Sequence, residues 1–521
     1  MTNLLIYPII IPLLAAILGM LMPKSRVWQG SIGVGSSVLL LLTAFYLAAM
    51  VQNGEILTLA VGQWQPPFGI VLVADMLSAV MLCLTAIIAF ATHLYACADI
   101  DRERIAYGFF PLLNFLTCGI CGAFLTGDLF NLYVWFEVML IASFALLSLG
   151  GERRQLFGTI KYVSLNLIAT LLLISAIGIL YGLTGTVNMA DVAQKVALVE
   201  NKNLVTVTAL LFLVAFGIKA AVFPLFFWLP ASYHMPPVTV SAIFAGLLTK
   251  VGVYAMYRVM TLIFIHDISL THGILAYVAG LTMVVGVLGA SVQVSMRRIF
   301  SYSVISAIGF MVLGLSLMTK LALVAGVFYI IHDILVKANL FFVGGLMRNL
   351  TGGSHILKVG GLYKAAPWLA VLFMVPALSL AGVPPFSGFW AKLGLVMAAL
   401  EREAWGLVFV ALFAGLFTLY AMMRMWLEVF WKPHPEHKDV GFKAARYNEA
   451  QGLFMDPNTE TTRAPTRLQW VFFISPCVLL SGLTLWLGLS PQPIFNVAEL
   501  IAQQLLDPQI YIQAVLGGHQ S

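Results

Sequence analysis

Five ionisable side chains stand inside stretches otherwise filled with hydrocarbon: Glu137, Lys219, Lys250, His332 and Lys392. A charge at the centre of a bilayer costs about 2.5–3.5 kcal/mol on insertion scales, so such groups are carried for proton or ion movement or as paired counter-ions. Glu137 lies in LYVWFEVMLIASF with no positive charge near it in sequence, and its partner must come from another helix. Burial alone disfavours a carboxylate while a nearby ammonium favours it, and a proton pump needs a group that switches between those conditions. Lys219 is the natural partner, because lysine titrates readily when buried.

Lys250, in FAGLLTKVGVYAMYR, and Lys392 both read as lying toward one membrane face, where the pair would relay a proton. The alternative for Lys250 is a lysine that snorkels to the interface. His332, in YIIHDILVKANLFFVGG, titrates near neutrality and suits a shuttle between lysines; a satisfied core histidine is the other reading. Asp333 and Lys337, four residues apart on one helical face, read as a local ion pair or as accessory members of the path, with Tyr254 a further accessory candidate. Arg424 and Glu428 repeat that spacing near a span edge and read as a structural pair, and Asp75 reads as an accessory or a helix cap.

The elements that must position these groups follow from composition. The 521 residues are 61% hydrophobic and 10% charged, with a mean hydropathy of +0.97. Soluble domains carry about a quarter charged residues, so the chain is an all-α polytopic membrane protein. Runs long enough to cross a core about 30 Å thick recur at about 3–22, 29–51, 70–95, 107–126, 129–149, 156–182, 204–229, 238–258, 273–295, 298–318, 320–346, 369–399, 405–431 and 469–490, fourteen spans in all. They form a single membrane domain over 1–521, with a polar loop at 432–468 and a tail at 491–521. The first span lacks a charged leader and a small-residue cleavage site, so it is expected to be retained.

Two spans are broken. Gly217 and Pro224 bracket Lys219 in the seventh; Pro376, Gly382, Pro384, Pro385 and Gly388 precede Lys392 in the twelfth. Proline removes a helix donor and frees a carbonyl, and within a bilayer such freed groups persist only when buried in protein or lining a wet cavity. Two breaks five helices apart are what inverted five-helix repeats, helices 4–8 and 9–13, would produce.

Lysine and arginine set the orientation. Seventeen of the 28 basic residues fall on alternate loops, from Lys24 to Arg467, whereas the opposite loops hold Lys195, Lys202, Arg258, Lys320 and Arg402. The basic loops are therefore expected in the cytoplasm and both termini outside. The net charge of +6 reports topology rather than nucleic-acid binding. Residues 52–69 read as a short external hairpin or cap, and Val187–Asn203 as a surface helix. Five cysteines lie in or beside apolar spans and read as small buried hydrophobes rather than ligands. Haem-type histidine pairs, Gly-rich nucleotide loops and metal clusters are missing from the sequence, which argues against a redox catalyst and for no cofactor.

The run from Lys219 to Arg258, KAAVFPLFFWLPASYHMPPVTVSAIFAGLLTKVGVYAMYR, together with the Glu137 helix, HDILVKANLFFVGG and LAGVPPFSGFWAKLG, resembles the antiporter-like subunits shared by respiratory complex I and the Mrp multisubunit cation/proton antiporters. Within that superfamily the chain is most similar to the D-type subunits of the Mrp antiporters. Complex I relatives carry W-L-P-D-A-H where this sequence has Trp228-Leu229-Pro230-Ala231-Ser232-Tyr233-His234, and the ending IFNVAELIAQQLLDPQIYIQAVLGG is also Mrp-like. The resemblance implies a coupled Glu137–Lys219 pair, a central relay of Lys250 and His332, and Lys392 as terminal group. It implies partner subunits of the A, B, C, E, F and G types in a bacterial plasma membrane, with H+ and Na+ or K+ as the ions moved. A proton-pumping subunit of complex I or of a membrane hydrogenase is the alternative.

Overall fold

The computed structural model describes residues 2–433 and 466–517, so most of the polar loop expected at 432–468 lies outside the described residues. Twelve described helices are long and apolar enough to cross a membrane, from Asn3–Leu21 to Arg467–Leu489. Two shorter apolar helices, Phe109–Leu125 and Pro367–Ala381, stand among them, and Ser387–Glu401 continues the second after a break. Large apolar side chains remain exposed on the outer helices, such as Leu412 at 60% and Phe409 at 69%. That is the expected surface of a chain whose solvent is hydrocarbon and whose backbone polar groups must be satisfied inside each helix.

Three helices make up the interior: Val238–Leu262, Met296–Ser316 and Lys320–Thr351 are each 94% buried over their most apolar window. The 32-residue Lys320–Thr351 helix bears His332, Asp333 and Lys337 with no exposure. Thr319 starts it by accepting the Ala322 amide, and Gly352 ends it at φ 71°.

One face of the bundle carries a small cap of strand and short helix. Leu57–Ala60 pairs antiparallel with Val71–Ala74, a hairpin slightly offset from the one expected at 52–69. The short helix Met189–Val196 occupies part of the segment expected to be helical, and Pro508–Leu516 packs against both it and the hairpin. Asp75 caps the helix Met76–Asp99 through Ser78 and also forms a buried ion pair with Arg258 at 2.6 Å. Arg258 is therefore not a loop residue, as its place in the charge count assumed; it lies inside Thr249–Leu262. On the opposite face Arg424 donates to the carbonyl of Ser291 at 2.6 Å, at the end of the helix Ile268–Val292, while Glu428 pairs with Lys432 at 2.8 Å. The expected Arg424–Glu428 pair does not form, because the free helix-end carbonyls present a better site for the guanidinium.

Candidate functional site

Each of the three key lysines sits at an irregularity in its helix. Lys219 is the penultimate residue of Lys202–Ala220, which stops at Ala221 with φ 63°. A left-handed alanine costs about 1–2 kcal/mol, and the turn ends the helix where Lys219 is buried. The carbonyl of Ile218 accepts the Ala221 amide in that turn and also a bond from the Trp228 indole at 2.9 Å. The Lys219 amine donates to Thr170 Oγ1 at 3.3 Å and lies 5.5 Å from the centre of the Phe136 ring. A cavity of about 10 Å³, room for roughly one water, adjoins it and is lined by Tyr162, Asn166 and Trp228 among others.

Glu137, next to Phe136, does not form an ion pair with Lys219. Its Oε1 is buried with no hydrogen-bond partner among the described residues. The Phe136 ring and a small cavity lie between the Glu137 helix and Lys219.

Lys250 sits at the middle of Val238–Leu262, immediately after a π-helical turn at Phe244–Leu248. Single π-helical turns inside α-helices frequently mark functional sites. The amine donates to the carbonyl of Ala245 at 2.5 Å and pairs with Asp333 at 2.7 Å, with neither side chain exposed. The snorkelling alternative does not hold, since the side chain turns inward to a carboxylate. Gly252, on the same helix, packs against the Lys219 backbone, where a Cβ would stand 2.8 Å from the Ala220 nitrogen. Only a glycine lets the two lysine-bearing helices approach so closely.

Asp333 therefore joins two lysines. Lys337 is 3.9 Å from its other oxygen and donates to Ser303 at 2.8 Å, so the expected local Asp333–Lys337 pair is the weaker of the two contacts. His332, on the neighbouring face of the helix, bonds through Nδ1 to Ser387 Oγ at 2.9 Å. Ser387 in turn bonds Ser379 at 2.8 Å, and these hydroxyls belong to the two halves of the second broken helix.

That helix stops at Gly382, with φ +87°, and resumes at Ser387. Lys392 reaches back across the gap and donates to the carbonyls of Leu380 and Ala381 at 2.9 and 3.0 Å. Its amine is thus held at the break and not toward the far end of Ser387–Glu401. Pro384 and Pro385 occupy the gap itself, as Pro224 occupies the gap after Ala221. Tyr254, one turn beyond Lys250, donates to the carbonyl of Phe124 at 2.8 Å and accepts from Arg258 at 3.2 Å, which ties it to the Asp75 pair.

Sequence reasoning missed the supporting hydroxyls Thr170, Ser303, Ser379 and Ser387, and the π-helical turn. Ser379 and Ser387 were within reach of it, since they flank the Gly/Pro run. Nothing local marks Thr170 or Ser303.

A polytopic helical bundle with buried lysines on interrupted helices is a membrane-transport subunit by its architecture. The transmembrane model of the NADH:quinone oxidoreductase/Mrp antiporter family matches residues 126–418, and the chain belongs to that family. It is 44% identical over 518 residues to a Na(+)/H(+) antiporter subunit of the D type from Alkalihalophilus pseudofirmus, covering 99% of this chain and all of that one. Among solved structures it superposes on a chain of the Mrp complex from Dietzia sp. DQ12-45-1b with a TM-score of 0.88 and 32% identity, over 99% of this chain and 100% of that one. A chain of the membrane-bound sulfane sulfur reductase, an archaeal respiratory membrane complex, aligns with a TM-score of 0.85 and 26% identity over 99% of each chain. Relatives of this chain are thus subunits of larger membrane complexes.

Proposed function

We propose that this chain is the D-type component of an Mrp multisubunit Na+/H+ or K+/H+ antiporter, and that it moves protons along Glu137, Lys219, Lys250, His332 and Lys392. The observation that carries the reading is the placement of all three lysines at helix irregularities: Lys219 before the turn at Ala221, Lys250 after the π-helical turn, Lys392 across the gap at Gly382. A hydroxyl accepts from the Lys219 amine and backbone carbonyls accept from those of Lys250 and Lys392, with Lys250 also paired to Asp333; neutral acceptors of this kind leave each site able to lose its proton when a neighbouring charge moves. Asp333 and Lys337 support the central site, and Tyr254 lies one turn beyond it.

The partners would be the other Mrp subunits, of the A, B, C, E, F and G types, in a bacterial plasma membrane, with fourteen crossings, inverted repeats of helices 4–8 and 9–13, and both termini outside. The redox-complex alternative is favoured less, because identity is 44% to an antiporter subunit and 26% to the sulfur reductase chain. The test is antiport in inverted vesicles with matched assembly. Glu137→Gln and Lys219→Ala should each abolish cation-driven proton movement while the complex still assembles, and near-parental antiport in either variant would remove that residue from the path.

A further inference from the structure

On the arginine-rich face, a cavity of about 230 Å³ opens between the start of the helix Arg153–Thr184, the segment after the first break, and the start of Met296–Ser316. Its polar lining includes Lys161, His234 and Arg298, its apolar lining Phe157 and Phe227, and no carboxylate lines it among the described residues. We infer that this cavity binds the phosphate headgroup of an anionic phospholipid, with the acyl chains lying along Phe157 and Phe227.

The charge balance favours an anion. Neither Lys161 nor Arg298 has an ion-pair partner among the described residues; the Lys161 amine instead sits 4.4 Å from the centre of the Phe157 ring. His234 donates from Nδ1 to the carbonyl of Pro230 at 2.7 Å, and its Nε2 accepts from Arg298 Nε at 3.4 Å, the pattern of a neutral ring. Burial and the adjacent Arg298 and Arg297 agree, holding the imidazole down at about 4. Two uncompensated cations in a recess repel H3O+ and Na+ and concentrate anions, so the cavity is poorly suited as a cation mouth.

The depth favours a lipid. A helix of 32 residues is about 48 Å long and exceeds a 30 Å core by about 9 Å at each end when centred. Lys161 is eight residues in, about 12 Å along the axis, at the boundary between headgroups and hydrocarbon. Phe157 and Phe227 are 59% and 56% exposed beside it, apolar surfaces ready for acyl chains. Basic pockets between transmembrane helices are established receivers of anionic headgroups. Phe227 and Pro230 also flank Trp228, whose indole holds the carbonyl of Ile218 next to Lys219. A headgroup seated here would brace the segment that follows the first break.

The assembled complex, reconstituted in phosphatidylcholine vesicles doped with phosphatidylglycerol bearing a diazirine in its acyl chain, tests this. Photolysis should label peptides containing Phe157 and Phe227, and Lys161→Ala with Arg298→Ala should lower that labelling by roughly tenfold or more, from about 1 kcal/mol per basic residue near a membrane surface. Lys161→Arg with Arg298→Lys should retain it, which separates lost charge from lost folding. Equal labelling of the alanine variant, or equal labelling by diazirine phosphatidylcholine, would overturn the proposal. So would loss of label on adding excess soluble glycerol phosphate, which would make the ligand a free phosphate, or absence of label on both peptides, which would mean that a partner subunit covers the cavity.

Discussion

Lys250 and Asp333 meet at 2.7 Å across two interior helices, and neither side chain reaches the surface. The pair is not closed. Asp333 also faces Lys337 at 3.9 Å, and the Lys250 amine has a second acceptor in the carbonyl of Ala245. One carboxylate thus faces two lysines, one in close contact and one looser, and under the proposed relay a change of charge at either end would shift the balance between them.

Removing one member of this pair leaves the other buried and uncompensated, a loss of about 3–5 kcal/mol in comparable cases. Lys250→Met and Asp333→Asn should each lower the thermal stability of the complex and abolish antiport. The double variant should recover most of the stability and none of the activity. Recovery of antiport in the double variant would show that the pair serves folding alone.

Gly388 is required by a close approach and not by its backbone angle. A Cβ there would stand 1.8 Å from the carbonyl oxygen of Ser379 and 3.0 Å from His332 Cε1. Gly388→Ala should therefore push the two halves of the broken helix apart and disturb the Ser387–His332 bond. Antiport is expected to fall by about tenfold or more, given that a displacement of about 1 Å at a working site can cost 100-fold. Gly406→Ala, at a position where a Cβ meets nothing, is the matched control and should be silent.

Orientation is open to labelling. Gln65 lies exposed on the hairpin side and Lys358 exposed on the arginine-rich side. The positive-inside distribution expects a cysteine at position 65 to react with an impermeant maleimide added to intact cells, and one at 358 to react only after the membrane is opened. The five native cysteines are buried and give little background. The reverse pattern would invert the topology.

Much of this arrangement was legible in the chain because membrane-spanning helices announce themselves by length and apolarity, and because a charge in such a helix is conspicuous. Both breaks were visible as Gly/Pro runs around Lys219 and Lys392. What stayed hidden depends on helices far apart in sequence. The i,i+4 spacing pointed Asp333 at Lys337, but tertiary packing brought Lys250 from 83 residues away to a shorter contact. The same spacing misled at Arg424 and Glu428, where free helix-end carbonyls and Lys432 won instead. The π-helical turn before Lys250 leaves no mark in FAGLL, since small and apolar residues suit an α-helix as well.

Lys392 gives the sharpest test of proton transfer as opposed to fixed charge. Its amine bridges the break by donating to the carbonyls of Leu380 and Ala381 and lies 5.0 Å from the centre of the Phe310 ring, a setting that accepts any cation of suitable reach. Arginine would keep that electrostatic role, because its guanidinium donates to carbonyls and stacks on aromatic faces, yet with a pKa above about 12 it does not release a proton. Lys392→Arg should therefore assemble and remain as stable as the parent but lose antiport. Lys392→Gln, neutral and still able to donate to a carbonyl, should lose antiport too. Proton uptake by inverted vesicles, measured with a pH-sensitive dye as Na+ or K+ is added, reads both variants. Parental activity in Lys392→Arg would leave Lys392 as a structural bridge across the break and end the proton path at His332.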